Sequence, residues 1–406
     1  MAFAVEMLTT LLTVGGLVYM LLALFGARRF ERETRTAFGP ADSTAGFAPD
    51  VSILKPLKGV DPRMYASFAS HCTQQYGGRY ELLFGVNSLD DPAAAEIHRL
   101  QAEFPGCAIR LVECGERLGA SGKVSSLIQL LREARYDHVL INDSDIRVGP
   151  RYLERVIKQF AATGPRSASK PAGMTTPVGL VTAPYLGRTA PEGAGLTLWA
   201  RLEALGISTD FIPGVLTARM LERGIRFGLG STLACSREAL NAAGGLEPLL
   251  DVLADDYELG ARIARAGFRV ELSPEVVETT IPAYDFRGFR DHQLRWARST
   301  RDSRRLGYLG LGITYCIPWA VLNCIASGFA LWSFTLLSLV LLARITVALT
   351  VGVGILRDEQ VLRDVWLIPL RDCFGLAFWA WSYASDIVVW RGERFRLTRG
   401  HIVKVV

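Results

Sequence analysis

The run from Leu306 to Leu356 constrains this chain more than any other feature: it is apolar throughout and holds one charge, Arg344. One helix needs ~20 apolar residues to cross the hydrocarbon core of a bilayer, and this run is about twice that. In lipid the backbone must satisfy its own polar groups, so such a run folds as helices. It contains Pro318 and Gly328 and predicts two, over about Leu309–Ser327 and Leu331–Leu356. A second run, Met7–Ala27, is also long enough to span. Only Glu6 precedes it, whereas Arg28, Arg29, Arg32 and Arg35 follow. A secretory signal carries its basic residues ahead of the apolar stretch. The expectation is therefore a retained anchor, with the N-terminus outside and residue 28 onward in the cytoplasm. Arg298, Arg301, Arg304 and Arg305 before the long run, and Arg357 and Arg363 after it, agree with that side. Arg344 at membrane depth costs about 3 kcal/mol unless it is paired or reaches the interface. Val365–Trp390 is apolar and aromatic but broken by Pro369, Arg371, Asp372 and Asp386. Arg363 lies on one side of it and Arg391, Arg394 and Arg396 on the other, so a re-entrant or interfacial segment is expected, a fourth crossing being the other reading.

The middle of the chain is different. Half of the 406 residues are hydrophobic, but the excess sits at the two ends. The net charge of +5 is modest, and its basic clusters flank the apolar runs, which marks membrane topology; no nucleic-acid partner is expected. The seven cysteines form no CxxC pair and no zinc spacing, which fits a reducing compartment. From Asp50 to about Tyr284, β-rich runs alternate with helical periods. "VSILKP" (51–56), "YELLFGVN" (80–87), "AIRLVE" (108–113) and "HVLIN" (138–142) read as strands. Residues 65–75, 92–104 and 123–134 read as the helices between them. Such alternation predicts a doubly wound α/β sheet, whose ligands bind at the carboxyl ends of its strands.

Asp143 and Asp145 stand just past one of those ends. Two carboxylates one residue apart can share a hard cation, Mg²⁺ or Mn²⁺, with the oxygens of a phosphate. Asp-x-Asp also arises as a solvated turn, and the position after an apolar strand favours the metal–phosphate reading. "GERLGASGKVSSL" (115–127) is not a P-loop: the glycine spacing is wrong and Val124 stands where a hydroxyl is needed. Lys123 is either a phosphate ligand at a helix start or a solvated lysine. Asp255 and Asp256 open a helix, so they are either capping residues or carboxylates held near an acceptor hydroxyl. "FRDHQLRWARSTRDSRR" (289–305) is a basic helix before the membrane. It is an interfacial anchor, or else Arg295 and Trp296 close over a diphosphate. Residues 201–225 line an acceptor groove or form a core helix. The stretch 164–177, rich in Ser, Pro and Gly, reads as a flexible surface insertion.

Taken in order, "VSILKPLKGVDP" (51–62), "DSDIRV" (143–148), "AGGL" (243–246), "ADDYELGARIARAGFR" (254–269), "HQLRW" (292–296) and "WRGERFRL" (390–397) resemble the ceramide glucosyltransferase family. This is family 21 of the glycosyltransferases, and the resemblance covers nearly the whole chain. "RLEALGISTDF" (201–211) and "LRWARSTRDSR" (294–304) are similar to its bacterial, hopanoid-biosynthesis-associated branch. The resemblance implies a GT-A-type doubly wound mixed sheet with transmembrane helices at both ends. Its parts are an anchor over residues 1–30, a cytoplasmic catalytic domain over 50–290 and a membrane portion over 291–406. It implies metal ligation by Asp143 and Asp145 and a general base at Asp256. Nucleotide-sugar contacts are implied at Asp143, Lys123, Asp255, His292, Arg295 and Trp296. Two positions depart from the family pattern. His292 stands where Gln or Arg is expected. The first family aspartate falls near Ser88, which leaves Asp90 or Asp91 to hold the uridine.

The implied reaction moves a sugar from a UDP-sugar, with Mg²⁺ or Mn²⁺, onto a lipid hydroxyl with inversion. UDP-GlcNAc and a hopanoid polyol are favoured, UDP-glucose and ceramide being the alternative, and the bacterial inner membrane is the implied location. A processive polysaccharide synthase would need more spans. A membrane scaffold or transporter accounts for the helices but not for the ordered aspartates and Arg295.

Overall fold

In the computed structural model, residues 2–37, 46–162, 176–189, 196–390 and 393–405 are described. They form two compact units, one of Phe38–Tyr185 and Gly224–Thr280, the other of Met1–Ala37, Leu186–Arg223 and Ile281–Val406. Twelve strands occur among them: β1 (Val51–Pro56), β2 (Tyr80–Val86), β3 (Ala108–Glu113), β4 (His138–Ile141), β5 (Val178–Thr182), β6 (Tyr185–Thr189), β7 (Leu233–Ser236), β8 (Arg269–Leu272), β9 (Val277–Ile281), β10 (Ile387–Trp390), β11 (Glu393–Thr398) and β12 (His401–Lys404). All but two residues of the predicted insertion 164–177 lie outside the described residues.

The first unit is built on a seven-stranded sheet in the order β3-β2-β1-β4-β7-β5-β8. β1 is buried along its whole length, as a central strand covered on both faces must be. Helices Met64–Cys72, Ala93–Glu103 and Gly122–Glu133 alternate with β1–β4, which pair in parallel. β7 runs antiparallel to β4, so the sheet is mixed, as the sequence led one to expect. From β1 the chain steps outward to β2 and β3, then returns to place β4 on the other side of β1. This reversal opens a crevice at the carboxyl ends of β1 and β4, the place where doubly wound sheets hold ligands. Asp143 and Asp145 follow directly after β4.

The second unit holds the apolar segments. Among the described residues two helical stretches are long and apolar enough to cross a membrane, Ala2–Arg35 and Leu331–Ile355. The expected single helix over Leu309–Ser327 is instead a pair, Arg305–Thr314 and Cys316–Ala326, bent by 56°. Pro318 explains the break: it has no N–H for the Thr314 carbonyl, and its ring crowds that carbonyl. Gly16 lets the N-terminal helix approach this pair, since a Cβ there would lie 2.4 Å from that of Cys316. The Asn323 amide donates to Thr10 Oγ1 at 2.7 Å across the same contact. The third apolar segment contains a helix of 15 residues, Ile368–Ser382, about 22 Å long against a core of about 30 Å. β10, β11 and β12 form an antiparallel sheet at the end of the chain.

Arg344 finds partners within the protein. Its Nη2 lies 2.9 Å from Asp372 Oδ1, its Nη1 donates to the Thr209 carbonyl at 2.8 Å, and Asp210 pairs with it as well. Arg371 Nε is 3.2 Å from the other oxygen of Asp210. Two cations and two carboxylates thus balance within a buried cluster. Removing one charge strands another. Arg344→Leu is expected to destabilise the detergent-solubilised protein by about 3–5 kcal/mol, read as a large fall in its thermal transition.

Candidate active site at the strand ends

Asn142, the residue after β4, is fully buried and ties four segments of the chain together. Its amide donates to the Ser231 carbonyl at 2.6 Å and to the Tyr152 hydroxyl at 3.0 Å, and its Oδ1 is 3.2 Å from His71 Nε2. Burial holds the His71 imidazole well below its usual pKa, with Lys55 opposing its charge as well, and its Nδ1 lies 2.9 Å from the Ser67 carbonyl, an acceptor only, so in the neutral ring Nδ1 carries the proton. The acidic turn begins from this fixed point. Lys55, buried at the end of β1, donates from Nζ to the Asp143 carbonyl at 3.1 Å. The Ser144 hydroxyl donates to Asp61, and the Ser67 hydroxyl donates to the Asp145 carbonyl at 3.1 Å. Asp145 Oδ2 accepts from the Thr279 hydroxyl and from the Thr280 N–H, both in β9.

The Asp143 carboxylate faces outward. Lys123, second residue of the helix Gly122–Glu133, sets its Nζ 2.9 Å from Asp143 Oδ1 and 3.1 Å from Asp255 Oδ2. Burial disfavours this ammonium, but Asp143, Asp255 and Asp256 outweigh it and hold the lysine pKa above its usual value. Lys123 is thus an enclosed bridge rather than a solvated side chain. Asp255 and Asp256 open the helix Asp255–Arg265, whose N-cap is Ala254 with no side-chain cap. Asp256 Oδ1 accepts from the N–H of Tyr257 at 2.8 Å. Burial, and then Asp255 beside it, raise the Asp256 carboxyl to about 6, near where a general base works best.

Gly230 lies between these carboxylates. A Cβ there would stand 3.1 Å from Asp256 Oδ2 and 3.5 Å from Asp143 Oδ2. Gly260 allows a similar approach one turn on, since its Cβ would lie 2.3 Å from the backbone nitrogen of Gly228. Sequence reasoning missed Lys55 and Gly230. Their signals were a lysine inside an apolar strand and the spaced glycines of "FGLGSTL" (227–233).

Burial, and next the Asp143 charge, raise the Asp145 carboxyl to about 6. A cation beside the pair would relieve that repulsion. Among the described residues no three His, Cys, Asp or Glu side chains converge on one point. The protein therefore offers at most a carboxylate pair here. That fits Mg²⁺ or Mn²⁺, which take few protein ligands and complete their shell with phosphate oxygens and water. Asp91, after β2, accepts from the N–H groups of Gly59 and Ala93 and so ties the loop after β1 to a helix start. Asp90 is exposed, and its N–H bonds Ser88 Oγ at 3.2 Å. His292, Arg295 and Trp296 belong to the other unit, on the helix Phe286–Ser303.

The sequence model of Glycosyl transferase family 21 matches residues 8–403. The chain belongs to glycosyl transferase family 21. It is 28% identical over 250 residues to ceramide glucosyltransferase 3 of Caenorhabditis elegans, covering 62% of this chain and 50% of that one. It is 23% identical over 271 residues to an N-acetylglucosaminyltransferase of Bradyrhizobium diazoefficiens, covering 63% and 50%. The family 21 chain thus spans about half the length of the curated relatives it matches. Among solved structures it is similar to the mannosyltransferase PcManGT of Pyrobaculum calidifontis in complex with GDP-Man and Mn²⁺. The TM-score is 0.53 and the identity 20%, over 94% of this chain and 97% of that one. The fold is therefore of GT-A type, and the family read from the ordered motifs is the right one. Filling the space between the carboxylates tests the geometry directly. Gly230→Ala is expected to leave the thermal transition within a few degrees of wild type while lowering affinity for a metal–nucleotide diphosphate, read by calorimetry.

Proposed function

We propose that this chain is a membrane-bound, inverting hexosyltransferase that moves a sugar from a UDP-sugar to a hydroxyl of a membrane lipid. The observation that carries this reading is the gathering of Asp143, Asp145, Lys123 and Asp256 at the carboxyl ends of the parallel strands. In this reading Asp143 and Asp145 hold Mg²⁺ or Mn²⁺, which when bound neutralises charge on the departing diphosphate. Lys123 turns from carboxylate to phosphate oxygen. Asp256 takes the proton from the acceptor hydroxyl as its oxygen bonds to the anomeric carbon. The bond from that carbon to UDP breaks, UDP keeps the electron pair, and an α-linked donor gives a β-linked product. Asp255 fixes Lys123, Asp90 or Asp91 borders the uridine, and Arg295 and Trp296 serve the diphosphate.

The favoured substrates are UDP-GlcNAc and a hopanoid polyol. Likeness to a bacterial N-acetylglucosaminyltransferase and the segment "RLEALGISTDF" support them. UDP-glucose and ceramide are the second reading, supported by likeness to the nematode ceramide glucosyltransferases. The arginines after the first apolar run support a cytoplasmic catalytic unit at a bacterial inner membrane, on the side where nucleotide sugars are made.

Full-length protein in detergent, given Mg²⁺ or Mn²⁺, a lipid extract with hopanoid polyols and ceramide, and each donor separately, tests the proposal by mass spectrometry. A GlcNAc–hopanoid product is expected. A hexosylceramide moves the enzyme to the second reading, and no glycolipid with either donor overturns both. Asp256→Asn is expected to lower kcat by about 10²–10⁴-fold with the thermal transition kept. The base must be ionised, so the wild-type rate is expected to fall as pH drops through about 6 and to level off above it.

A further inference from the structure

The closing motif "WRGERFRL" has no part in the reaction proposed above, and its alternation says how it folds. In Arg394-Phe395-Arg396-Leu397 charged and apolar residues take turns, so β11 sends one kind to each face of its sheet. Phe395 and Leu397 are buried, together with Val388 of β10 and Ile402 of β12. The helix Phe286–Ser303 packs against β10 and β11 and fixes them through its last turns. Arg298 donates to the Ile387 carbonyl, Arg301 donates to the Asp386 carboxylate, and Asp302 accepts from the N–H of Gly400.

The other face is open. Arg394 and Arg396 are exposed on it. The register sets Arg394 beside Val389 of β10, and Arg396 between Ile387 of β10 and Val403 of β12. Val389 is 40% exposed and Val403 61%. The nearby acids are taken elsewhere: Glu393 lies 3.0 Å from Lys404, and Asp386 pairs with Arg301. Among the described residues no carboxylate pairs with Arg394, Arg396 or Arg399. The position of this sheet matters as much as its charge. Four residues beyond Asp302, at most about 14 Å of chain, Leu306 opens the bent apolar pair. The helix Ile368–Ser382 leads almost directly into β10. The sheet is thus anchored close to where the chain enters its apolar segments, and Arg304 and Arg305 mark the same level as the basic side of the membrane.

Unpaired guanidinium groups match the oxygens of a phosphate. Aliphatic side chains set between them suit the boundary where headgroups give way to acyl chains. A small soluble anion would engage the arginines and leave Val389 and Val403 in water. We propose that the outer face of β10–β12 is a docking surface for anionic phospholipid, with Arg394 and Arg396 on the headgroup phosphate and Val389 and Val403 against the acyl boundary. The inference concerns how the chain sits on its membrane and is independent of the sugar donor and the lipid acceptor.

The test gives full-length protein in detergent either phosphatidylglycerol or phosphatidylcholine with the same acyl chains, and counts retained lipid by native mass spectrometry. Wild type is expected to retain phosphatidylglycerol about tenfold better. The double variant Arg394→Gln, Arg396→Gln is expected to lose about tenfold or more of that retention while its hold on phosphatidylcholine changes less than about twofold. Its thermal transition in lipid-free detergent is expected to stay within a few degrees of wild type, because both side chains are exposed. Val389→Ser with Val403→Ser is expected to weaken phosphatidylglycerol several-fold. Phosphatidylglycerol carrying a diazirine at the top of one acyl chain locates the contact without any substitution, and cross-links within residues 387–405 are expected. Unchanged phosphatidylglycerol retention in the arginine variant overturns the proposal, as do cross-links confined to other segments. A dimer mass that disappears in the arginine variant, with no discrimination between the lipids, overturns it too and assigns the face to a second copy of the chain.

Discussion

One ammonium group holds the strand-end site together. Asp143, Asp255 and Asp256 crowd a single edge of the sheet, and without a cation they would repel one another at close range. Lys123 bridges two of them and sits in the field of the third. Because it comes from the first turn of a helix fixed by Ser121, its position follows from the fold rather than from a flexible loop. The acidic turn after β4 and the helix that opens at Asp255 are thereby held to each other through charge. Burial and repulsion left over from this arrangement are what lift Asp145 and Asp256 toward neutral pH.

Much of this was legible in the sequence because it depends on local pattern. The alternation of "VSILKP", "YELLFGVN", "AIRLVE" and "HVLIN" with helical periods predicted β1–β4 within a residue or so of where they lie. The position of Asp143 and Asp145 past a strand end followed from the same pattern. Contacts between distant segments were not legible. Nothing near Lys55 in the sequence says that it reaches the Asp143 carbonyl, and nothing near Gly230 says that two carboxylates flank it. The break at Tyr315 also escaped, although Pro318 was noticed, because a proline fixes where a helix is weak and not how far it bends.

In the membrane-associated unit polar groups are settled by the same rule. Arg344 looked costly as a lone charge in an apolar run, and in the fold it balances Asp372 and Asp210 with Arg371 as the fourth member. The segment "GISTDF" contributes Asp210 to that cluster and sets Phe211 against Trp296, through a π-helical turn that sends consecutive residues to different neighbours. A substitution in this short stretch would therefore be felt in two places at once.

Asn142 has a consequence for the order in which the molecule acquires its chemistry. Its partners His71, Tyr152 and Ser231 lie 71, 10 and 89 positions away along the chain. Of these, the contacts to His71 and Ser231 close late, since the entropy of the intervening loops is lost before they are made. A partly folded or nascent chain has the aspartates but not their arrangement. Any ligand that grips the finished turn is bound only by the folded unit, so it shifts the folding equilibrium of the whole sheet rather than of one loop.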